Sequence, residues 1–225
     1  MGFTALTPTG SVGTSVFTPT GSDAIVDWVF VELRDASNNQ QVLDSRSALI
    51  QRDGDIVDID GVSPLTFASA QPASYFVVVK HRNHLSVMTR TAIPLTSVAT
   101  LVDFRLPSTP TFTINGQLIN QAQVVVDQGV AMWAGNALYD NQVIYQGTQN
   151  DVNPIYQLII NASGNIFDTP FYKLKTYNNG DINMNGETIF QGTQNDVEFI
   201  YQNIIKNHPG NVLRQNFFII REQLP

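Results

Sequence analysis

Asp181, Asn183, Asn185 and Gly186 stand in the order D-x-N-x-N-G, followed at once by Glu187. Alternate residues of a tight loop point the same way, so oxygens at its first, third and fifth positions converge on one point. Glycine at the sixth position lets the chain turn sharply, and the seventh residue offers its carbonyl. A hard cation such as Ca2+ takes about six to eight such oxygens, from carboxylates, amides and carbonyls. The acid that closes an ordinary loop of this type stands at position 12, which here is Gly192. The next carboxylate is Asp196, at position 16. The spacing predicts a calcium site from Asp181, Asn183, Asn185, the Glu187 carbonyl and Asp196, with Gln191–Gln194 bulging outward and Asn195 or Glu198 as further donors.

The loop occurs twice. Gly135–Val152 aligns with Gly180–Val197 at an offset of 180 − 135 = 45, and Gln-Gly-Thr-Gln-Asn-Asp-Val is identical at 146–152 and 191–197. The first copy offers Asn136, Asp140, Gln142 and Asp151. Leu138 stands where the third-position oxygen belongs, and Asn141 replaces glycine, so this loop is a looser or degenerate site. Asparagine can adopt the left-handed conformation that the turn requires.

The elements that position these loops are legible around them. Each copy runs into apolar residues at helical spacing: Ile155, Tyr156, Ile159 and Ile160, then Ile200, Tyr201, Ile204 and Ile205. Asn150 and Asn195 sit where an N-cap belongs, with Asp151 and Asp196 in the first turn. Pro154 is tolerated there, while Gly164 and Pro209-Gly210 stop the helices.

Upstream, residues 23–107 read as all-β. Ala24–Leu33 is apolar on both faces, and Gln41–Gln51, Asp55–Asp60, Ser74–His81, Leu85–Thr89, Ala92–Leu95 and Thr100–Leu106 complete about seven short strands. That pattern predicts a β-sandwich of immunoglobulin-like or transthyretin-like type. Residues 1–22 form an extended arm in which Thr4–Gly10 recurs as Ser15–Gly21. The predicted organisation is an arm at 1–22, a sandwich at 23–107 and a repeat domain at 108–225 with a C-terminal strand.

Composition narrows the function. The 225 residues carry 12 basic and 19 acidic side chains, a formal charge of −7, and no cysteine. Phosphate binding needs clustered Lys and Arg, so nucleic acid is excluded as a main partner. Disulfides, thiolate metal sites and cysteine nucleophiles are excluded as well. No run of 18 apolar residues spans a membrane, and Met1–Gly10 has neither the basic nor the apolar part of a signal peptide. Between 108 and 210 three lysines face eight acids, which favours a cation.

Two loop–helix calcium repeats in tandem resemble a dockerin module. The particular form, with QGxxND before the helix, Pro209-Gly210-Asn211 after it and the terminus Asn216–Pro225, resembles the C-terminal region of large secreted surface proteins of Bacteroidetes-type bacteria. Val26–Arg34 and Tyr75–Leu85 look like the β-domain that accompanies it. The resemblance covers 23–225. It implies an extracellular, calcium-bound, non-catalytic module at the cell surface, of adhesin- or haemagglutinin-like type.

Two other functions remain open. One is a self-assembling filament or surface-layer subunit, its arm or C-terminal strand donated to a neighbouring copy or another surface protein. The other is a carbohydrate-binding module, with Trp133, Tyr139, Tyr145 or Tyr156 stacking on a glycan. No nucleophile elbow, Rossmann glycine motif or P-loop is present. His81 and His84 fall on opposite sides of an extended strand and read as a hydrogen-bonded strand end. Asp53, Asp55, Asp58 and Asp60 read as a charged hairpin face.

Overall fold

The computed structural model describes residues 11–114, 121–127 and 129–225. The chain is mainly β, with antiparallel sheets. Strands β1 (Ile25–Asp35), β2 (Val42–Gln51), β3 (Ile56–Val57), β4 (Ala73–His81), β5 (His84–Met88) and β6 (Ile93–Leu95) form one sheet. Its order is β3-β2-β1-β4-β5, and β6 pairs with β4 beside β5. Long β1 is central because both of its faces are apolar enough to bury, as the sequence indicates.

The expected sandwich is replaced among the described residues by a single six-stranded sheet. Val29, Val31, Val79 and Val87 pack under Leu65, Phe67 and Phe104 from irregular chain, and under Ala122 and Met132. Met132 belongs to a separate hairpin, β7 (Gln123–Val126) with β8 (Gly129–Met132). Residues 100–106 are not a strand, because the Asp103 carboxylate accepts the Arg105 amide at 2.9 Å and curls the chain. Asp58 and Asp60 act likewise, taking the amides of Ile59 and Ser63 and leaving β3 only two residues long.

The first heptad of the arm, with Leu6, lies outside the described residues. In the second, Thr14–Phe17 is a 3-10 turn, not an extended stretch. It seats Val16 against Leu49 and Val57 of its own sheet.

The repeat folds as a closed pair. Strand β9 (Gln142–Ile144) and helix α1 (Val152–Ile160) are followed by β10 (Lys173–Leu174). Strand β11 (Thr188–Ile189) and helix α2 (Val197–Gln202), which runs on as a π-helical turn at Asn203–Asn207, are followed by β12 (Ile219–Arg221). Strand β10 pairs with β11, and β12 pairs back with β9. Each copy's trailing strand therefore clasps the other copy's loop strand, in one register: Lys173 faces Ile189, and Ile219 faces Ile144. The C-terminal strand is thus used within its own chain. Ile155, Ile200, Ile204, Ile182, Trp133 and Ile220 form the shared core.

The candidate metal loops

Both loops have one backbone. Left-handed residues recur in pairs at the offset of the repeat: Tyr139 and Met184 at φ 58° and 56°, Asn141 and Gly186 at 69° and 85°, Gln149 and Gln194 at 55° and 59°. Asn141 therefore does stand in for glycine.

Asp151 and Asp196 hold that backbone in place. The carboxylate of Asp196 accepts the amides of Ile182, Asn183 and Ile189 at 2.7, 3.1 and 2.7 Å. Its own amide donates to the Ile189 carbonyl at 2.9 Å. Asp151 does the same in the first loop, taking Leu138 at 3.0 Å and Ile144 at 2.7 Å and donating to the Ile144 carbonyl. Both are fully buried. Among the described residues neither pairs with a Lys, Arg or His side chain. Burial pushes Asp151 up to about 7 and Asp196 up to about 6, against the lowering effect of those amides.

In the second loop the donors follow the expected order. Asp181 Oδ1 and Asn183 Oδ1 each lie 3.0 Å from the Asn185 amide nitrogen, so the two oxygens converge. Asn185 Oδ1 accepts the Glu187 amide at 2.9 Å. The Glu187 carboxylate pairs outward with Lys175 and Lys173 at 2.9 and 3.3 Å, so only its carbonyl suits a role in the loop. In the first loop Asn136 Oδ1 accepts the Asp140 amide at 3.0 Å, and Asp140 accepts the Gln142 amide at 3.2 Å. Leu138 brings no oxygen, and the Gln142 side chain accepts Arg221 at 2.7 Å. The second donor set fits a hard cation of the Ca2+ type: clustered hard oxygens beside a buried carboxylate that lacks a basic partner. The first is one donor short. Among the described residues no three His, Asp or Glu side chains gather as a metal cluster, so amide and carbonyl oxygens must complete any sphere.

The caps fall where the sequence places them. Asn150 Oδ1 accepts the Asn153 amide and Asn195 Oδ1 the Glu198 amide, both at 2.9 Å.

The β4–β5 turn joins the loops to the sheet, a role that sequence reasoning missed. The Asn83 carbonyl accepts the amides of Gly135 and Asn136 at 3.0 Å, where the first loop starts. Its side-chain amide donates to the carbonyls of Asn179 and Asp181 at 3.2 and 2.7 Å, where the second starts. Arg82 donates to the Asp181 carbonyl at 3.2 Å, lies 3.4 Å from its carboxylate, and pairs with Asp27 at 3.0 Å. Tyr177 donates to Asp27 at 2.6 Å. Burial opposes ionisation of Asp27, but His81, Arg82 and Tyr177 hold its carboxyl well below the usual range.

The tight turn brings His81 and His84 together edge to face, with 2.9 Å between ring nitrogens, not to opposite sides. Loss of hydration, with His81 and Arg82 alongside, holds His84 well below its ordinary value. The only signal in the sequence was five polar residues in a row, Lys80–His84, between two apolar strands.

Trp133 is buried in the repeat core and cannot stack on a glycan. Tyr145 packs on Tyr201 and Tyr156 on Phe190, at 5.3 and 5.0 Å between ring centres. A comparison with protein-family models, curated proteins and solved structures returns no match, so the loops' own chemistry is what bears on function.

Proposed function

We propose that the chain is a non-catalytic, calcium-binding structural module of an extracellular bacterial surface protein, built as a β-domain and a dockerin-like loop–helix pair. Placement at the cell surface, with an adhesive role, rests on the resemblance of the repeat. Calcium rests on the second loop. The observation that carries it is the buried Asp196, which no basic side chain among the described residues neutralises, beside the converging oxygens of Asp181 and Asn183. A cation there would offset the burial of charge and stabilise the repeat. Binding to the native state alone adds about 2.7 kcal/mol at a hundredfold excess over Kd.

Calorimetry and elemental analysis of the full chain test this. Wild type should bind one calcium tightly and melt at a lower temperature in chelator. The variant Asp181→Asn with Asn183→Leu should lose that binding while keeping its chelator-free fold, because Asn136 and Leu138 already occupy the matching places in the first loop. Unchanged calcium binding in this variant removes the assignment.

A further inference from the structure

The repeat carries two apolar tips that no described residue covers. After each helix the chain makes the same asparagine-centred turn. Asn165 Oδ1 accepts the Thr169 amide at 3.0 Å, and Asn211 Oδ1 the Gln215 amide at 2.7 Å. Each asparagine side chain also donates to a helix-end carbonyl, of Ile159 or Ile204, at 2.9 and 2.7 Å. Asp168 and Arg214 are left-handed at φ 49° and 53°. These turns lift Ile166, Phe167 and Phe171, and in the second copy Val212, Leu213 and Phe217, into solvent. All six are between 60% and 84% exposed. A well-bonded turn that holds three large apolar side chains in water, made twice, is the mark of a contact surface.

An acceptor lies in the other half of the chain. Between the sheet face of Val31, Val77 and Val79 and the irregular segments that cover it is a half-open cavity of about 1290 Å3. Its rim includes Val62, Val98 and Leu101, 75%, 74% and 87% exposed. The tips of the same chain do not fill it, since they remain exposed. Tip and mouth are therefore free to meet only between two chains.

Charge selects the tip. Asp55 and Asp103 line the mouth, and the Asp53 carbonyl holds Arg105 there, with Arg105 already paired to Asp103 at 2.9 Å. Two carboxylates against one guanidinium leave the mouth negative. The second tip carries Arg214, whereas the first carries Asp168, and the lysines that follow the first, Lys173 and Lys175, are already paired with Glu187.

We propose that the second tip, centred on Val212 and Leu213, docks into the sheet cavity of a second copy of this chain. Two different patches meet in such a contact, so it does not close on itself and adds chains head to tail. The proposal does not depend on the calcium reading: the tip is fixed by Asn211 and the mouth by the sheet.

Sedimentation of the full chain over a concentration series, with calcium present, is the test. Mass should climb past the dimer. The variants Val212→Ser with Leu213→Ser (tip), and Leu101→Asp (mouth), should each stay monomeric with unchanged melting, as all three positions are exposed. Mixed, the tip variant still has a mouth and the mouth variant still has a tip, so they should form a one-to-one heterodimer and stop. A wild type that stays monomeric at high concentration overturns the proposal. So does a polymer that both variants leave intact, or one abolished only by Phe167→Ser in the first tip. A monomeric wild type that floats with phosphatidylcholine–phosphatidylglycerol vesicles, and loses flotation in the tip variant, assigns the surface to lipid and overturns it as well.

Discussion

The loops at 136–151 and 181–196 share a backbone and differ in the side chains mounted on it. Both are held by a buried aspartate bonded to loop amides, and both place left-handed residues at matching positions. Only the second has an oxygen at the third donor position, Asn183 where the first has Leu138. Loop shape and donor number are therefore separable in this fold. The shape comes from hydrogen bonds that need no ion; the third-position oxygen is present in one copy and absent from the other. The joint repeats the asymmetry. It meets the first loop with a neutral carbonyl, from Asn83, and the second with the Arg82 guanidinium.

The most severe way to break this comparison is to remove the aspartates. Asp196→Ala leaves three loop amides without their acceptor, two of them buried and one part-buried, and Asp151→Ala at least two, one buried and one part-buried. Each orphaned buried amide costs roughly 1–3 kcal/mol. Denaturant unfolding in chelator should show both variants destabilised by several kcal/mol, and to a similar degree. A large loss for Asp196→Ala alone would mean that the two copies are not held the same way.

A smaller effect sharpens the asymmetry at the joint. His84 faces His81, Arg82 and, beyond them, Asp27. Its folded value is depressed below the unfolded one, so its contribution is full above about pH 6.5 and shrinks as pH falls through and below that value. Asp27 is depressed too and acts in the same direction at lower pH. Comparing wild type with His84→Gln cancels the titrating groups that lie away from His84 and its neighbours His81, Arg82 and Asp27. The stability advantage of the wild type should fall with acid by up to about 1.4 kcal/mol per pH unit. Amide exchange should rise more at 178–183, which Arg82 holds, than at 135–138. A pH-independent difference between the two proteins would remove His84 from the joint.

Much of this arrangement was open to reading in the chain. The offset of 45, the caps at Asn150 and Asn195, and the long strands β1, β2 and β4 follow from repetition, from one residue's hydrogen-bonding habit and from apolar runs. The single sheet did not. Strand periodicity says which face is buried but not whether another sheet or irregular chain buries it, and the turn at Asp103 competed successfully with a strand. The reciprocal clasp was hidden because two- and three-residue strands carry no period. The second half of the repeat was hidden by one extra residue after α2, which shifts Asn211 to 211 − 165 = 46 from its counterpart. Arg82 and Asn83 were hidden because a polar turn gives no sign of what it will be buried against.

The smallest expected effect is at the caps, and it probes the shared backbone most directly. Asn150 and Asn195 each accept one helix amide at 2.9 Å and each donate to the glycine carbonyl three residues earlier, at 2.7 and 2.8 Å. Neither residue touches the differing donor positions. Removing either side chain should therefore cost about 1 kcal/mol, the usual worth of an N-cap. The helices they start differ in length: α1 is nine residues, whereas α2 is six before it widens into the π-helical turn. If helix length set the outcome, Asn195→Ala would be the more harmful. If the local bonds set it, the two losses agree to within a few tenths of a kcal/mol. Paired denaturant titrations of Asn150→Ala and Asn195→Ala in chelator distinguish these, and equal losses are expected because both caps close the same turn over the same kind of buried aspartate.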